Sequence, residues 1–256
     1  MSDGLAIKTQ GLTKYYRLSW FRRAPVPALD RLNLEVPQSC VFGFLGPNGA
    51  GKTTTIRCLM DLIRPTSGQA WVLGKPIGDI AIREKIGYLP DSPAFGTHLT
   101  PWQFLNICAR LLKLPSSIRP QRIEAVLEMV HMKDHKHEAM SGFSRGMLQR
   151  IGIAQAMLNL PKLLILDEPL VGLDPEGRRE LLDIVRERKS EGVCVFFCSH
   201  ILSDVETLCD QIGILYKGKL QIVGEIKSLL GENGIQITIP ADQEETIQSL
   251  LKFADS

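Results

Sequence analysis

The eight residues Gly46-Pro47-Asn48-Gly49-Ala50-Gly51-Lys52-Thr53 constrain this chain more than any other stretch. They follow the apolar run Cys40-Val41-Phe42-Gly43-Phe44-Leu45, which reads as a buried strand. After them, Ile56, Leu59, Met60 and Ile63 fall on one face at helical spacing. A strand, a glycine-rich turn and a helix form the context in which G-x-x-x-x-G-K-[ST] predicts a phosphate loop. The glycines let successive N–H groups curl inward around an anion at the positive end of the new helix. In that geometry Lys52 reaches the terminal phosphates, the Thr53 hydroxyl ligates magnesium, and Thr54 extends the binding turn into the helix.

The rest of the chain reads as layered α/β. Leu29–Val36 alternates apolar and polar residues, as a half-buried strand near a sheet edge does. Pro65–Gly68 is a turn, followed by short strands over 70–73 and 86–89. From Leu99 to Leu158 no segment has strand character. Thr100-Pro101 predicts a capped helix running to about Leu112, and further helices are expected over 121–130 and about 147–158. Apolar strands return at 163–166, 193–197 and 212–215, separated by helices that start at the Asp174-Pro175 cap and at Leu202. This alternation predicts a mostly parallel sheet with an antiparallel β edge and an inserted helical subdomain. The expected division is a core of 1–90 with 159–223, a helical insert over 91–158, and a cap or small extension over 224–256.

Composition narrows the function classes. A net charge of +2 gives no overall field for nucleic acid or an anionic surface. No apolar run approaches the ~20 residues of a spanning helix, and Met1-Ser2-Asp3-Gly4 does not begin a signal pattern. The six cysteines are scattered without any Cys-x-x-Cys, which predicts reduced, mostly buried thiols in a cytoplasmic protein.

A second motif selects among phosphate-loop proteins. Leu163-Leu164-Ile165-Leu166-Asp167-Glu168-Pro169 is an apolar strand delivering two carboxylates at its C-terminal end, where α/β ligand sites lie. Magnesium would offset the charge of Asp167, and Glu168 would poise a water for attack on the terminal phosphorus. Val195-Phe196-Phe197-Cys198-Ser199-His200 ends a further apolar strand in His200, a candidate sensor of the terminal phosphate.

In order and spacing, Gly46–Thr53, Asp167-Glu168, Gly172-Leu173-Asp174 and His200 resemble the nucleotide-binding subunit of an ATP-binding cassette transporter. Phe143-Ser144-Arg145-Gly146-Met147 is similar to that family's Leu-Ser-Gly-Gly-Gln signature, and closer to the Ser-Lys-Gly-Met form of many bacterial exporter ATPases. The likeness runs from about Leu5 to Val223. It implies a P-loop NTPase, RecA-like core and two cassettes facing each other head to tail, each ATP held by one subunit's phosphate loop and the other's signature. Ser144 and the Gly146 backbone would cap the terminal phosphate in trans, Asp174 would cross the interface, and Tyr16 would stack on adenine. Asp91 stands where the family has a glutamine that touches the metal, so the metal set becomes Thr53, Asp91 and Asp167. Arg145 replaces the first signature glycine; its side chain either points away from the nucleotide or adds a cation to the phosphate site. The loop between Tyr16 and Leu29 is longer than usual, so Trp20 or Phe21 competes for adenine. The implied partners are a second ATPase subunit and an integral membrane permease, without nucleic acid, at the inner face of the membrane. The Ser-Arg-Gly-Met signature leans towards export.

Other readings are weaker. Gly142-Phe143-Ser144-Arg145-Gly146 matches G-x-S-x-G, and Ser144, Asp167 and His200 follow the hydrolase triad order, but the segment before Ser144 is polar where an elbow needs a strand. His131, His135 and His137 lack a fourth ligand at zinc spacing. Cassette proteins of translation carry two cassettes per chain, and those of DNA repair carry long heptad helices; this sequence has neither.

Overall fold

The computed structural model describes residues 4–16, 26–93, 95–231 and 234–235. In chain order the elements are β1 (Leu5–Tyr16), β2 (Val26–Pro37), β3 (Val41–Leu45), α1 (Lys52–Leu59), β4 (Ser67–Val72), β5 (Lys75–Pro76), α2 (Ile80–Arg83), β6 (Ile86–Leu89), α3 (Pro101–Leu111) and α4 (Arg119–Met129). A 3-10 turn over Met140–Gly142 then leads to α5 (Arg145–Met157), β7 (Leu163–Asp167), α6 (Pro175–Ser190), β8 (Cys194–Ser199), α7 (Leu202–Glu206), β9 (Gln211–Tyr216), β10 (Lys219–Glu225), α8 (Ile226–Leu229), β11 (Leu230–Gly231) and β12 (Gly234–Ile235). The adenine candidates Trp20 and Phe21, and most of the cap or extension expected over 224–256, lie outside the described residues. The chain divides into two compact units, Met1–Asp79 with Phe196–Ser256, and Ile80–Val195.

The first unit holds an antiparallel sheet in the order β2-β1-β4-β5 and a second sheet in which β10, β9, β3 and β8 follow one another. In the latter β3 and β9 run parallel, Phe42 opposite Gln211 through Leu45 opposite Ile214, and β10 returns antiparallel to β9. All five residues of β3 are buried, as a strand covered on both faces requires. Phe42 and Phe44 project from the same side of β3 onto Phe196, with ring centroids 5.8 and 5.2 Å away. β1 is longer than its mixed sequence suggests. Its register shifts between Thr9 and Leu12, where Gly11 takes φ 58°, and the strand continues through Tyr15 and Tyr16 where the sequence reads as the start of a loop. α1 ends at Leu59 rather than near Ile63, because Asp61 at φ 55° turns the chain out of the helix.

The second unit pairs β6 and β7 in parallel, Ile86 opposite Leu163 to Leu89 opposite Leu166, and packs helices around them. Gly87 lets α5 settle on the pair: a Cβ there would lie 2.0 Å from the Ala156 carbonyl oxygen. Helix α3 opens with a capping box in which the Thr100 hydroxyl accepts from the Gln103 N–H and the Gln103 side chain accepts from the Thr100 N–H. Leu105, Ala109, Ile123, Val126, Leu127, Ile151 and Ala154 form the buried seam of α3, α4 and α5. Arg122 of α4 donates to the Leu158 carbonyl at 3.0 Å and so covers the C-terminal end of α5. Among the described residues no helix is long and apolar enough to cross a membrane.

Candidate functional site

Most predicted site residues lie on four local structures, the loop before α1, the turn after β8, the turn after β7, and the start of α5 with the turn before α6; Tyr16 ends β1 and Asp91 follows β6.

In the first unit Gly46–Thr53 curls as the motif predicts. The Ala50 N–H donates to the Pro47 carbonyl at 3.0 Å, and Lys52, a residue 6% exposed, donates from its ammonium to the Gly46 carbonyl at 2.6 Å. The two ends of the loop are thereby tied, with the cation inside the curl. Asn48 and Gly49 form its exposed tip, Pro47 is half-buried, and Thr53 and Thr54 are half-buried on the first turn of α1. Neighbouring backbone fixes the glycines: a Cβ on Gly46 would meet the Leu215 carbonyl at 2.4 Å, and one on Gly51 would meet the Ala28 carbonyl at 2.5 Å. Gly51 also takes φ 115° and caps α1 without a side chain, so the N–H groups of the first turn face the space enclosed by the loop. That arrangement fits a polyphosphate: backbone donors, a buried cation and a helix N-terminus around one concavity. The β9–β10 hairpin braces it, since the Gly218 N–H donates to the Ala50 carbonyl at 2.8 Å. The sequence carries no signal for that brace, which joins segments far apart along the chain.

His200 follows β8 and is half-buried. The Ser199 hydroxyl accepts from the Ile201 N–H at 3.0 Å, so a side-chain turn pins the backbone on either side of the histidine. Tyr16 ends β1 at 38% exposure, and the Lys14 ammonium sits 5.6 Å from its ring centroid while donating to the Arg64 carbonyl.

In the second unit β7 is buried along its whole length and ends in Asp167, 1% exposed. Glu168, half-buried, takes φ 52°, a left-handed conformation that costs a side-chain-bearing residue about 1 kcal/mol or more. The Val171 N–H donates to the Glu168 carbonyl at 3.2 Å and closes the turn. Ser144 is the N-cap of α5, its hydroxyl accepting from the Met147 N–H at 3.2 Å while keeping its own O–H to donate. No strand precedes it; the 3-10 turn over Met140–Gly142 does, so the segment lacks the framework of a nucleophile elbow.

The start of α5 and the turn before α6 come together. The position a Cβ on Gly146 would take lies 3.7 Å from the Gly172 carbonyl and 3.8 Å from Leu173. Asp174 caps α6, accepting from the Gly177 N–H at 3.0 Å. The Arg145 stem lies along Gly172, with Cδ 2.9 Å from where a Cβ on that glycine would be. The departure from the family signature is thus used for packing against the neighbouring turn. Asp91 is exposed beyond β6. Sequence reasoning also missed Gln149, a buried glutamine on α5 whose amide donates to the Pro169 carbonyl at 2.9 Å. A polar residue in register with Ile153 and Ala156 on the apolar face was the available signal.

Among the described residues no group of three or more His, Cys, Asp or Glu side chains is placed to hold a metal. His135 instead lies 3.1 Å from Glu138, and the His137 ring faces Trp102 at 6.2 Å. Thr53 on the first turn of α1 and, in the other unit, Asp91 and Asp167 each carry hard oxygens, the donor type that magnesium takes.

The family model described as ABC transporter matches residues 29–171. An ABC transporter ATP-binding protein of Nostoc sp. is 44% identical over 227 residues, covering 88% of this chain and 68% of that one. The bacitracin transport ATP-binding protein BcrA of Bacillus licheniformis is 42% identical over 217 residues, covering 84% and 68%. The solved structure of CbiO1 from Clostridium perfringens, described as part of the ABC transporter complex CbiONQ, superposes with a TM-score of 0.76 at 26% identity, over 97% of this chain and 95% of that one. A loop built for phosphate, an acidic turn at a strand end and this likeness agree: the chain belongs to the ABC transporter family, among its ATP-binding, ATPase subunits.

Proposed function

We propose that two copies of this chain, or this chain and a paired ATPase subunit, close head to tail on two MgATP, and that hydrolysis powers transport through a separate membrane permease. The observation that carries the reading is the acidic turn after β7. Asp167 is held at 1% exposure at the end of an apolar strand, and Glu168 follows it directly in a left-handed backbone. Strain kept at a carboxylate next to a buried carboxylate marks a place where side-chain direction matters more than local stability.

In this scheme Lys52 and the amides of Gly46–Thr54 hold the β- and γ-phosphates, and Ser144 with the Gly146 backbone caps the γ-phosphate of the opposing subunit's nucleotide. Tyr16 covers the adenine, and Asp174 reaches across the interface. Thr53 and Asp167 would hold magnesium, Asp167 directly or through water, while the shorter Asp91 would reach it only through water. The ion would neutralise charge on the phosphate oxygens. Glu168 orients the attacking water and His200 donates to the γ-phosphate. The transition state of phosphoryl transfer is loose, so these groups act by position and charge.

The core of 1–90 with 159–223 performs this chemistry, while the helical segment 91–158 passes the motion to the permease and 224–256 caps the core. The assembly lies at the cytoplasmic face of the membrane, and the Ser-Arg-Gly-Met signature favours export. Support for transport comes from the relatives, one an ATP-binding protein of bacitracin transport and one part of a transporter complex. The test is Glu168→Gln, which keeps shape and removes the charge that orients water. Steady-state phosphate release should fall by roughly 10²–10⁴-fold with ATP affinity retained. Turnover at the parent rate would remove Glu168 from the mechanism.

A further inference from the structure

We infer that Gln149 is a positioning residue for Glu168, setting the direction of the acidic turn from the signature helix; the inference rests on the assignment of Glu168 above. Gln149 is 5% exposed on α5, and its side-chain amide donates to the Pro169 carbonyl oxygen at 2.9 Å. Pro169 is the residue immediately after Glu168. Its ring fixes its own φ, so holding its carbonyl fixes the peptide planes leading back to Glu168. Glu168 needs such a hold, because a left-handed backbone at a residue with a side chain persists only where the surroundings impose it. The Val171 N–H grips the turn from the far side through the Glu168 carbonyl, and Gln149 grips it from the helix.

The helix that carries Gln149 is itself fixed. Gly87 admits it onto β6, Arg122 caps its C-terminal carbonyls, and the Asn159 amide beyond its end donates to the Glu84 and Ile86 carbonyls at 2.9 and 3.0 Å. Ser144 stands at the N-terminal end of the same helix, five residues before Gln149. A displacement of the signature end therefore reaches the acidic turn through one buried hydrogen bond. Exchange of Gln149 for an apolar residue of similar volume leaves the helix seated and frees the turn.

The experiment compares Gln149→Met, which keeps volume and loses the donor, with Gln149→Lys, which restores a donor, in the full chain. Single-turnover ATP hydrolysis, KM for ATP and thermal midpoint are measured with and without Glu168→Gln. Gln149→Met should lower the hydrolysis rate about tenfold, as misplacement of a catalytic group by a fraction of an ångström does. KM should stay within about twofold, Gln149→Lys should recover part of the rate, and Gln149→Met on the Glu168→Gln background should change the residual rate less than about twofold. A parent rate in Gln149→Met, or a full tenfold loss added to Glu168→Gln, overturns the inference. Should Gln149→Met fail to fold, Gln149→Asn, polar but one methylene too short, is read by the same criteria. Glu168→Gln alone at the parent rate defeats the assignment of Glu168, an outcome distinct from any result at position 149.

Discussion

At the scale of single residues the loop before α1 shows how little latitude its positions have. The Lys52 ammonium is bound to the Gly46 carbonyl, and phosphate would compete for the same cation. Lys52→Ala removes a charge-assisted contact worth about 1.5–3 kcal/mol, so ATP affinity should fall roughly 10–100-fold by equilibrium titration. Affinity within twofold of the parent would show that the nucleotide lies elsewhere. Gly46→Ala tests the curl itself: its Cβ would sit 2.4 Å from a backbone oxygen that cannot rotate away. Nucleotide binding and thermal stability should fall together in this variant, whereas Lys52→Ala should spare stability. The cysteines give a third prediction. Burial pushes the Cys58 thiol up from 9.0 to about 11, against a smaller opposing effect of the Lys14 charge, and burial likewise pushes Cys108 up to about 11. Between pH 9 and 11 the unfolded chain ionises these thiols while the folded chain keeps them protonated, so the folded state binds more protons and stability declines as pH rises. The thermal midpoint should drop across that interval, and less steeply in Cys58→Ser with Cys108→Ser. An equal slope would show that other groups set the alkaline limit.

At the scale of elements, caps and close approaches determine where helices begin. Thr100 and Gln103 satisfy each other's backbone N–H groups at the start of α3, far along the chain from every proposed site residue except Asp91. Thr100→Ala should cost about 1 kcal/mol and lower the thermal midpoint by about 2–4 °C with ATPase activity unchanged. A midpoint equal to the parent would show that the cap is dispensable. This cap was legible in the sequence, as were Asp174-Pro175 and the three apolar strands ending in Leu45, Asp167 and Ser199, because caps and runs of apolar residues act over a few positions. β1 was less legible: the bulge at Gly11 breaks the alternation that announces a strand, and pairing with β2 and β4 carries it on to Tyr16. β10 was missed, since its residues are mostly exposed or half-buried and its pairing with β9 comes from a hairpin at Lys217-Gly218. The same contrast holds in the candidate site. Gly46–Thr53 is a local pattern, whereas the Gln149 bond to Pro169 and the packing of Arg145 on Gly172 join segments twenty or more residues apart and needed the folded chain.

At the scale of the whole molecule the proposal makes a claim that no single copy can satisfy. Ser144 and Asp174 lie at the exposed starts of α5 and α6, on segments that meet where Gly146 approaches Gly172 and Leu173, and each already caps its own helix. A hydroxyl that accepts from its own helix can still donate outward, and a helix N-terminus favours an anion. The partner of these groups is therefore expected to be the γ-phosphate and loop of a second cassette. Two variants separate binding within a copy from closure between copies. Glu168→Gln with ATP should sediment as a dimer, because the γ-phosphate that joins the two faces persists. Adding Ser144→Arg, which places a bulky side chain at the exposed end of α5, should return the protein to monomer while ATP affinity stays within about threefold, since only closure between copies is removed. Adding Lys52→Ala should abolish the dimer by abolishing nucleotide binding. A Ser144→Arg protein that lost ATP affinity as fully as Lys52→Ala would mean that the signature serves the nucleotide of its own chain, and the head-to-tail arrangement would have to be abandoned.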